Sequence, residues 1–193
     1  LTLEGDGPVE VDLGALERQM RAHARARASL GRPLPLVVWG GATGEWEGEH
    51  PAHAVARSPW GEEVLLAGWR GHRELAPALA SADILAVPSV AESFGLVYVE
   101  AMAMGVPPIA CDAAGPPTFI DADPGSPTRT GWLVPPDDET ALADALIAAA
   151  GDPDERAVRG ANGRALVVGR FTWPAIAANM AVIYDEVACA SAA

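Results

Sequence analysis

The sequence predicts an α/β fold, a parallel sheet with helices on both faces. Two observations carry that expectation. Short all-apolar runs such as Leu36-Val-Val-Trp39 and Ile84-Leu-Ala-Val87 read as strands covered on both sides. Segments of helical periodicity alternate with them, and glycine and proline punctuate the junctions. At 193 residues the chain is long enough for one well-buried domain and short for two.

The elements follow in order. Leu1–Glu4 reads as a short strand, and Asp12 opens a helix over Leu13–Leu30 whose apolar stripe is Leu13, Leu16, Met20, Ala24 and Ala28, with arginines opposite. The Leu36–Trp39 strand ends at Gly40-Gly41. Residues 42–59 are polar and read as a long surface loop with at most one helical turn. Val64–Ala67 is the next strand, followed by a helix over 73–82 in which Pro77 implies a late start or a kink. After the Ile84–Val87 strand, a helix runs from near Gly95 to Met104 and stops at Gly105. Val106–Cys111 is a strand, Pro116–Ile120 a helical turn and Gly131–Val134 a last strand. Three helices close the chain: Leu142–Ala150 capped by Asp137 or Asp138, Glu155–Val168 opened by Asp152 and Pro153, and one capped by Thr172 that runs to about Val187.

Composition excludes several classes. Half of the residues are apolar, yet no run of about 18 or more appears, so a membrane span is not expected. A net charge of −13 argues against a basic nucleic-acid or anionic-membrane surface, and is read first as a solubility device. A small anionic ligand stays compatible with it where helix ends and arginines set the local field. Cys111 and Cys189 show no metal or redox spacing, which suits two reduced thiols and a cytoplasmic location. All 13 basic residues are arginines. The start has no initiator Met and no secretory pattern, and we expect the chain to be one piece of a longer polypeptide.

The most informative stretch is Glu92-Ser-Phe-Gly-Leu-Val-Tyr-Val-Glu100, where a strand gives way to a helix. Ligands of open α/β sheets bind at such junctions, outside the carboxyl ends of the strands. If Glu92 and Glu100 were both helical they would lie about 12 Å apart along the axis. Hydrolytic carboxylate pairs sit roughly 5 to 9.5 Å apart. The two are therefore better read as binding groups, or else as a flanking residue and an exposed one. Free N–H groups at the helix start favour an anion, and Gly95 lets a ligand approach the backbone. His50-Pro-Ala-His53 is too short a pattern for a metal site. The Gly-x-Gly-x-x-Gly and Gly-x-Ser-x-Gly signatures are absent, which disfavours a dinucleotide dehydrogenase and an α/β-hydrolase.

A wider series occurs in order: Ser81-Ala-Asp83, Pro88-Ser89, Glu92-Ser-Phe-Gly-Leu96, Glu100-Ala-Met-Ala-Met-Gly-Val-Pro107, Gly115-Pro-Pro117 and Thr130-Gly-Trp-Leu-Val-Pro-Pro-Asp137. It resembles the carboxy-terminal, Rossmann-like half of GT-B glycosyltransferases of family 4, the retaining, nucleotide-sugar-dependent group, from about Val64 to Val187. The resemblance implies that residues 1–170 form a nucleotide-sugar-binding domain, its first-strand region 1–12 degenerate or truncated. Residues 171–193 would form a helix packing back toward an amino-terminal domain that carries the acceptor site. It implies that Glu92 is the catalytic-site carboxylate that binds donor-sugar hydroxyls. Phe94, Gly95 and Leu96 would offer N–H groups to the sugar and distal phosphate, and Ser89 would lie near the phosphates. Glu100 would take the ribose hydroxyls, with Trp69 and Arg70 edging the base. No cofactor and no metal is expected.

The family places an arginine and a lysine on the leaving diphosphate, and the matching positions here are Gly7 and Asp12. Three accounts are open: an altered or displaced amino-terminal segment, substitution by an arginine such as Arg70, or lost catalysis. The last would make the chain a non-catalytic binding module. A sugar-nucleotide epimerase is the remaining alternative. Thr118 stands where family members usually carry a glutamate.

Overall fold

A computed structural model describes residues 13–39, 50–68 and 71–191. Their order is α1 (Leu13–Leu30), β1 (Leu36–Trp39), α2 (Pro51–Arg57), β2 (Val64–Gly68), α3 (His72–Ala80), β3 (Leu85–Val87), α4 (Leu96–Ala103), β4 (Pro108–Cys111), β5 (Trp132–Val134), α5 (Glu139–Gly151), α6 (Pro153–Arg170) and α7 (Trp173–Ser191). All described strand pairs are parallel, as the apolar runs predict.

The strands form two hydrogen-bonded blocks, β1-β2 and β3-β4-β5, where the sequence suggests one sheet. No ladder joins β1 to β3 among the described residues; side chains join them. Trp39 and Leu85 pack on one cluster with Leu79, Ala101 and Val106. The Leu1–Glu4 strand, Gly7, Asp12, most of the polar segment up to Glu49, Trp69 and Arg70 lie outside the described residues.

Alternation within the second block shows why both faces are covered. Ile84, Ala86, Ile109, Trp132 and Val134 pack with Ala22 and Ala26 of α1 and with Leu142, Leu146 and Ala149 of α5. Their neighbours Leu85, Val87, Ala110 and Leu133 pack on the opposite side, with Tyr98 and Met102 of α4 and Val167 of α6. A period of two along each strand thus feeds two separate cores. The small residues Gly160 and Gly163 let α6 settle on α4: a Cβ at Gly163 would stand 3.1 Å from Met102 Cγ, and one at Gly160 only 2.1 Å from the Gly105 carbonyl oxygen.

Several local expectations need correction. Met20 and Ala24 of α1 are buried, but Ala28 is exposed, and the helix also buries Ala22, His23 and Ala26. The extra face exists because α5 packs along α1, with Arg21 bonded to Glu139 at 2.6 Å. Within 42–59, Pro51–Arg57 is a two-turn helix whose N-cap His50 accepts from Ala52 N–H through Nδ1 at 3.1 Å, while Pro51 fits its first turn. Pro77 sits inside α3 without delaying its start. Asp138 and Asp152 cap α5 and α6 as expected, at 2.9 Å each. The Thr172 hydroxyl donates back to Val168 of α6 at 3.3 Å.

α6 and α7 bend by 48° at Phe171–Thr172. α7 keeps a wet apolar face: Trp173 is 83% exposed, and Ile176, Met180, Ile183, Tyr184 and Val187 on the same side are also exposed. Among the described residues no single helix is long and apolar enough to cross a membrane.

Candidate functional site

Chain order runs from β1 to β2 in one block and from β3 through β4 to β5 in the other, while Trp39 of β1 and Leu85 of β3 share a cluster. The reversal of winding therefore falls between β1 and β3. Crevices at such reversals, outside the carboxyl strand ends, are where open α/β sheets bind ligands. The loop that leaves β3 at this point is residues 88–95.

That loop holds Ser89, Glu92, Phe94 and Gly95, and α4 continues with Leu96 and Glu100. Six of the eight sequence-identified positions thus lie along one strand-to-helix junction, while Trp69 and Arg70 fall outside the described residues. Ser89 is half-buried, and its N–H bonds Val87 O at 2.9 Å, turning the chain out of the strand. Glu92 and Glu100 are both half-buried, Phe94 and Leu96 exposed. Glu92 lies ahead of the helix, so the helical rise does not set its separation from Glu100.

Gly95 is the N-cap of α4, with φ 93° and ψ 60°, and no side chain caps the helix start. An L-residue in this left-handed region carries a steric cost that glycine escapes. A Cβ on Gly95 would also stand 2.3 Å from Tyr98 Cδ2 and 2.6 Å from Cε2. The glycine read from the sequence as room for a ligand is thus required first by the protein's own packing. The open first turn presents its amide dipoles with no competing carboxylate or hydroxyl cap.

The loop after β4 borders this turn. Gly115 N–H donates to Glu92 O at 3.0 Å, and a Cβ on Gly115 would meet the Phe94 Cα at 2.6 Å. The preceding Ala114 takes φ 54° to deliver that close approach. Thr118 donates its hydroxyl to Gly115 O at 2.6 Å, so it stabilises the loop internally. Phe94 packs on Phe119 at 5.2 Å and on Phe171 at 5.8 Å between ring centres. Beyond β5, Arg18 reaches from α1 to Asp137 at 2.9 Å. Asp137 has φ 55°. Burial, then Asp137 and Asp112, push the Cys111 thiol above its ordinary pKa, so it stays protonated and inert.

Two features escaped the sequence. Tyr98 is fully buried behind the turn. Arg159 is 2% exposed, stacks over Trp132 at 4.5 Å and bonds Glu155 at 2.8 Å, which Arg129 also grips at 2.7 and 2.8 Å. A buried tyrosine in a helical stripe and arginines in separate elements carry no local signature. His50 and His53 stand 6.0 Å apart between ring centres, and among the described residues no group of three or more His, Cys, Asp or Glu could hold a metal ion. Two grooves, of about 540 and 440 Å3, are lined by residues outside 88–96.

The family model for glycosyl transferases group 1 matches residues 14–152. The chain belongs to this family. The D-inositol 3-phosphate glycosyltransferase of Corynebacterium kroppenstedtii is 39% identical over 117 residues, which is 61% of this chain and 25% of that protein. The MMP alpha-(1->4)-mannosyltransferase of Mycolicibacterium hassiacum is 32% identical over 178 residues, 92% of this chain and 41% of that one. The solved sucrose-phosphate synthase of Thermosynechococcus elongatus superposes with a TM-score of 0.67 at 30% identity, over 89% of this chain and 51% of its own. This group 1 chain therefore spans a quarter to two-fifths of the length of those two curated relatives. The family match starts beyond Gly7 and Asp12.

Proposed function

We propose that the chain is the donor-binding, carboxy-terminal half of a retaining glycosyltransferase, which moves a sugar from a nucleoside diphosphate to an acceptor hydroxyl with the anomeric configuration kept. The observation that carries this reading is the uncapped start of α4, held open by left-handed Gly95 beside Glu92, in a group 1 chain. Glu92 takes donor-sugar hydroxyls at the reacting centre. The N–H groups of Phe94, Gly95 and Leu96 receive sugar hydroxyls and the distal phosphate, with Ser89 beside the phosphates. Glu100 takes the ribose, and Trp69 and Arg70 edge the base.

As the bond to the diphosphate breaks, negative charge builds on its oxygens, and a fixed helix start stabilises that charge without reorganising. No metal and no cofactor is assigned to the reaction. The acceptor approaches from the side the diphosphate leaves, and an amino-terminal domain supplies its site. Exposed Phe94 and Leu96 at the β3–α4 junction and the wet apolar face of α7 support a second wall contributed by that domain, with α7 packing back toward it. A cytoplasmic location suits a free, protonated Cys111.

Titration calorimetry with UDP, GDP and their sugars tests the reading. Micromolar binding that weakens at least about tenfold in Glu100→Ala is the expected result, the size of losing a hydrogen-bonded charged partner. Full affinity in that variant removes Glu100 from the site, and no binding by the chain joined to its amino-terminal half removes the donor assignment.

A further inference from the structure

We propose that Tyr98, which the donor reading leaves without a role, is a positioning residue that holds the 89–95 turn in its binding shape. The inference rests on that reading. Tyr98 is 0% exposed, and its hydroxyl donates to Val87 O at 2.5 Å. The same carbonyl accepts the Ser89 N–H at 2.9 Å, so one oxygen at the end of β3 ties helix α4 to the first residue of the turn. The ring then fills the space where any side chain at position 95 would stand, with Cδ2 2.3 Å and Cε2 2.6 Å from that Cβ site. Glu92 Cγ lies 3.2 Å from the same site.

Tyr98 therefore touches or shares a neighbour with three proposed donor positions: Ser89 through Val87 O, Glu92 beside the same Gly95 site, and Gly95 itself. Burial first, and then the nearby Glu92 carboxylate, push the phenol well above its ordinary pKa, so the hydroxyl keeps its proton and donates at every physiological pH. Its contact is with protein, not with ligand, and its effect passes through the turn.

Tyr98→Phe is the informative change. It keeps the ring, and Val87 O retains the Ser89 N–H, so no buried acceptor is orphaned and the fold is preserved. Only the tie between α4 and the strand end is lost. The chain is titrated with UDP-glucose and GDP-mannose as donors, and with UMP and GMP as probes that reach Glu100 without a sugar or distal phosphate. Donor affinity should fall about five- to tenfold, the worth of one buried hydrogen bond, while monophosphate affinity holds.

An equal fall for donors and monophosphates, or no fall for either, overturns the positioning role. Absence of donor and monophosphate binding by the unaltered chain instead overturns the donor reading, and the inference with it. Amide hydrogen exchange gives a second measurement that needs no ligand. It should rise across residues 89–96 in Tyr98→Phe while α5 stays protected; an unchanged pattern, or a rise throughout, overturns the proposal.

Discussion

Replacing Gly95 by alanine separates two physical costs that coincide at the turn before α4. Position 95 has φ 93°, a conformation that costs an L-residue about 1–2 kcal/mol. Its added Cβ would also fall 2.3 Å from the ring of fully buried Tyr98, and such overpacking costs about 1–3 kcal/mol. Gly105 isolates the first cost, since it has φ 78° with nothing within 4 Å of its Cβ position. Gly105→Ala should therefore destabilise the fold by about 1–2 kcal/mol, and Gly95→Ala by about 2–5 kcal/mol. Urea unfolding followed by circular dichroism measures both, provided the slope is unchanged. Equal midpoints for the two variants would refute the claim that the Tyr98 ring occupies the Gly95 notch.

Two further outcomes follow from the α6 network. The bidentate Arg129 contact, aided by Arg159, pulls the Glu155 carboxyl down to about 2. A depressed carboxylate contributes stability that is complete above its unfolded pKa and is lost as pH falls from about 4.5 through about 2. With the side chain 24% exposed, solvent screening leaves about 1–2 kcal/mol of this. Glu155→Gln should flatten the melting temperature over that acid range, and an unaltered acid slope argues against the pairing. Arg159→Met removes a buried cation, leaves the Gly131 carbonyl without it and should cost about 3 kcal/mol by thermal denaturation; a loss under 1 kcal/mol contradicts the assigned role.

Strand positions were legible because apolar runs mark them, although only β3, β4 and β5 are covered on both faces while Val37 of β1 and Leu65 of β2 stay exposed, and the caps Asp138 and Asp152 because capping is local chemistry. The strand-to-helix turn before α4 was legible from its glycine. Other features depend on partners far along the chain. The second buried face of α1 follows from α5, more than a hundred residues away, and the Arg159 network joins α6 to the loop before β5 through the Gly131 carbonyl and Arg129. Helix α2 hid in polar composition because its buried contribution is only Ala54 and Val55. The need for glycine at 95 was read as room for a ligand, whereas the ring that demands it is three residues away in sequence and one helical turn away in space.

The wet apolar face of α7 belongs to a chain carrying 13 net negative charges. These act in opposite senses on contacts between copies: charge repels over a Debye length, about 10 Å at 0.1 M salt and 3 Å at 1 M, while apolar attraction strengthens with excluded salts such as sulfate. Ionic strength thus becomes the control on whether this domain, taken by itself, remains dispersed or adheres to its own kind through Trp173, Ile183, Tyr184 and Val187.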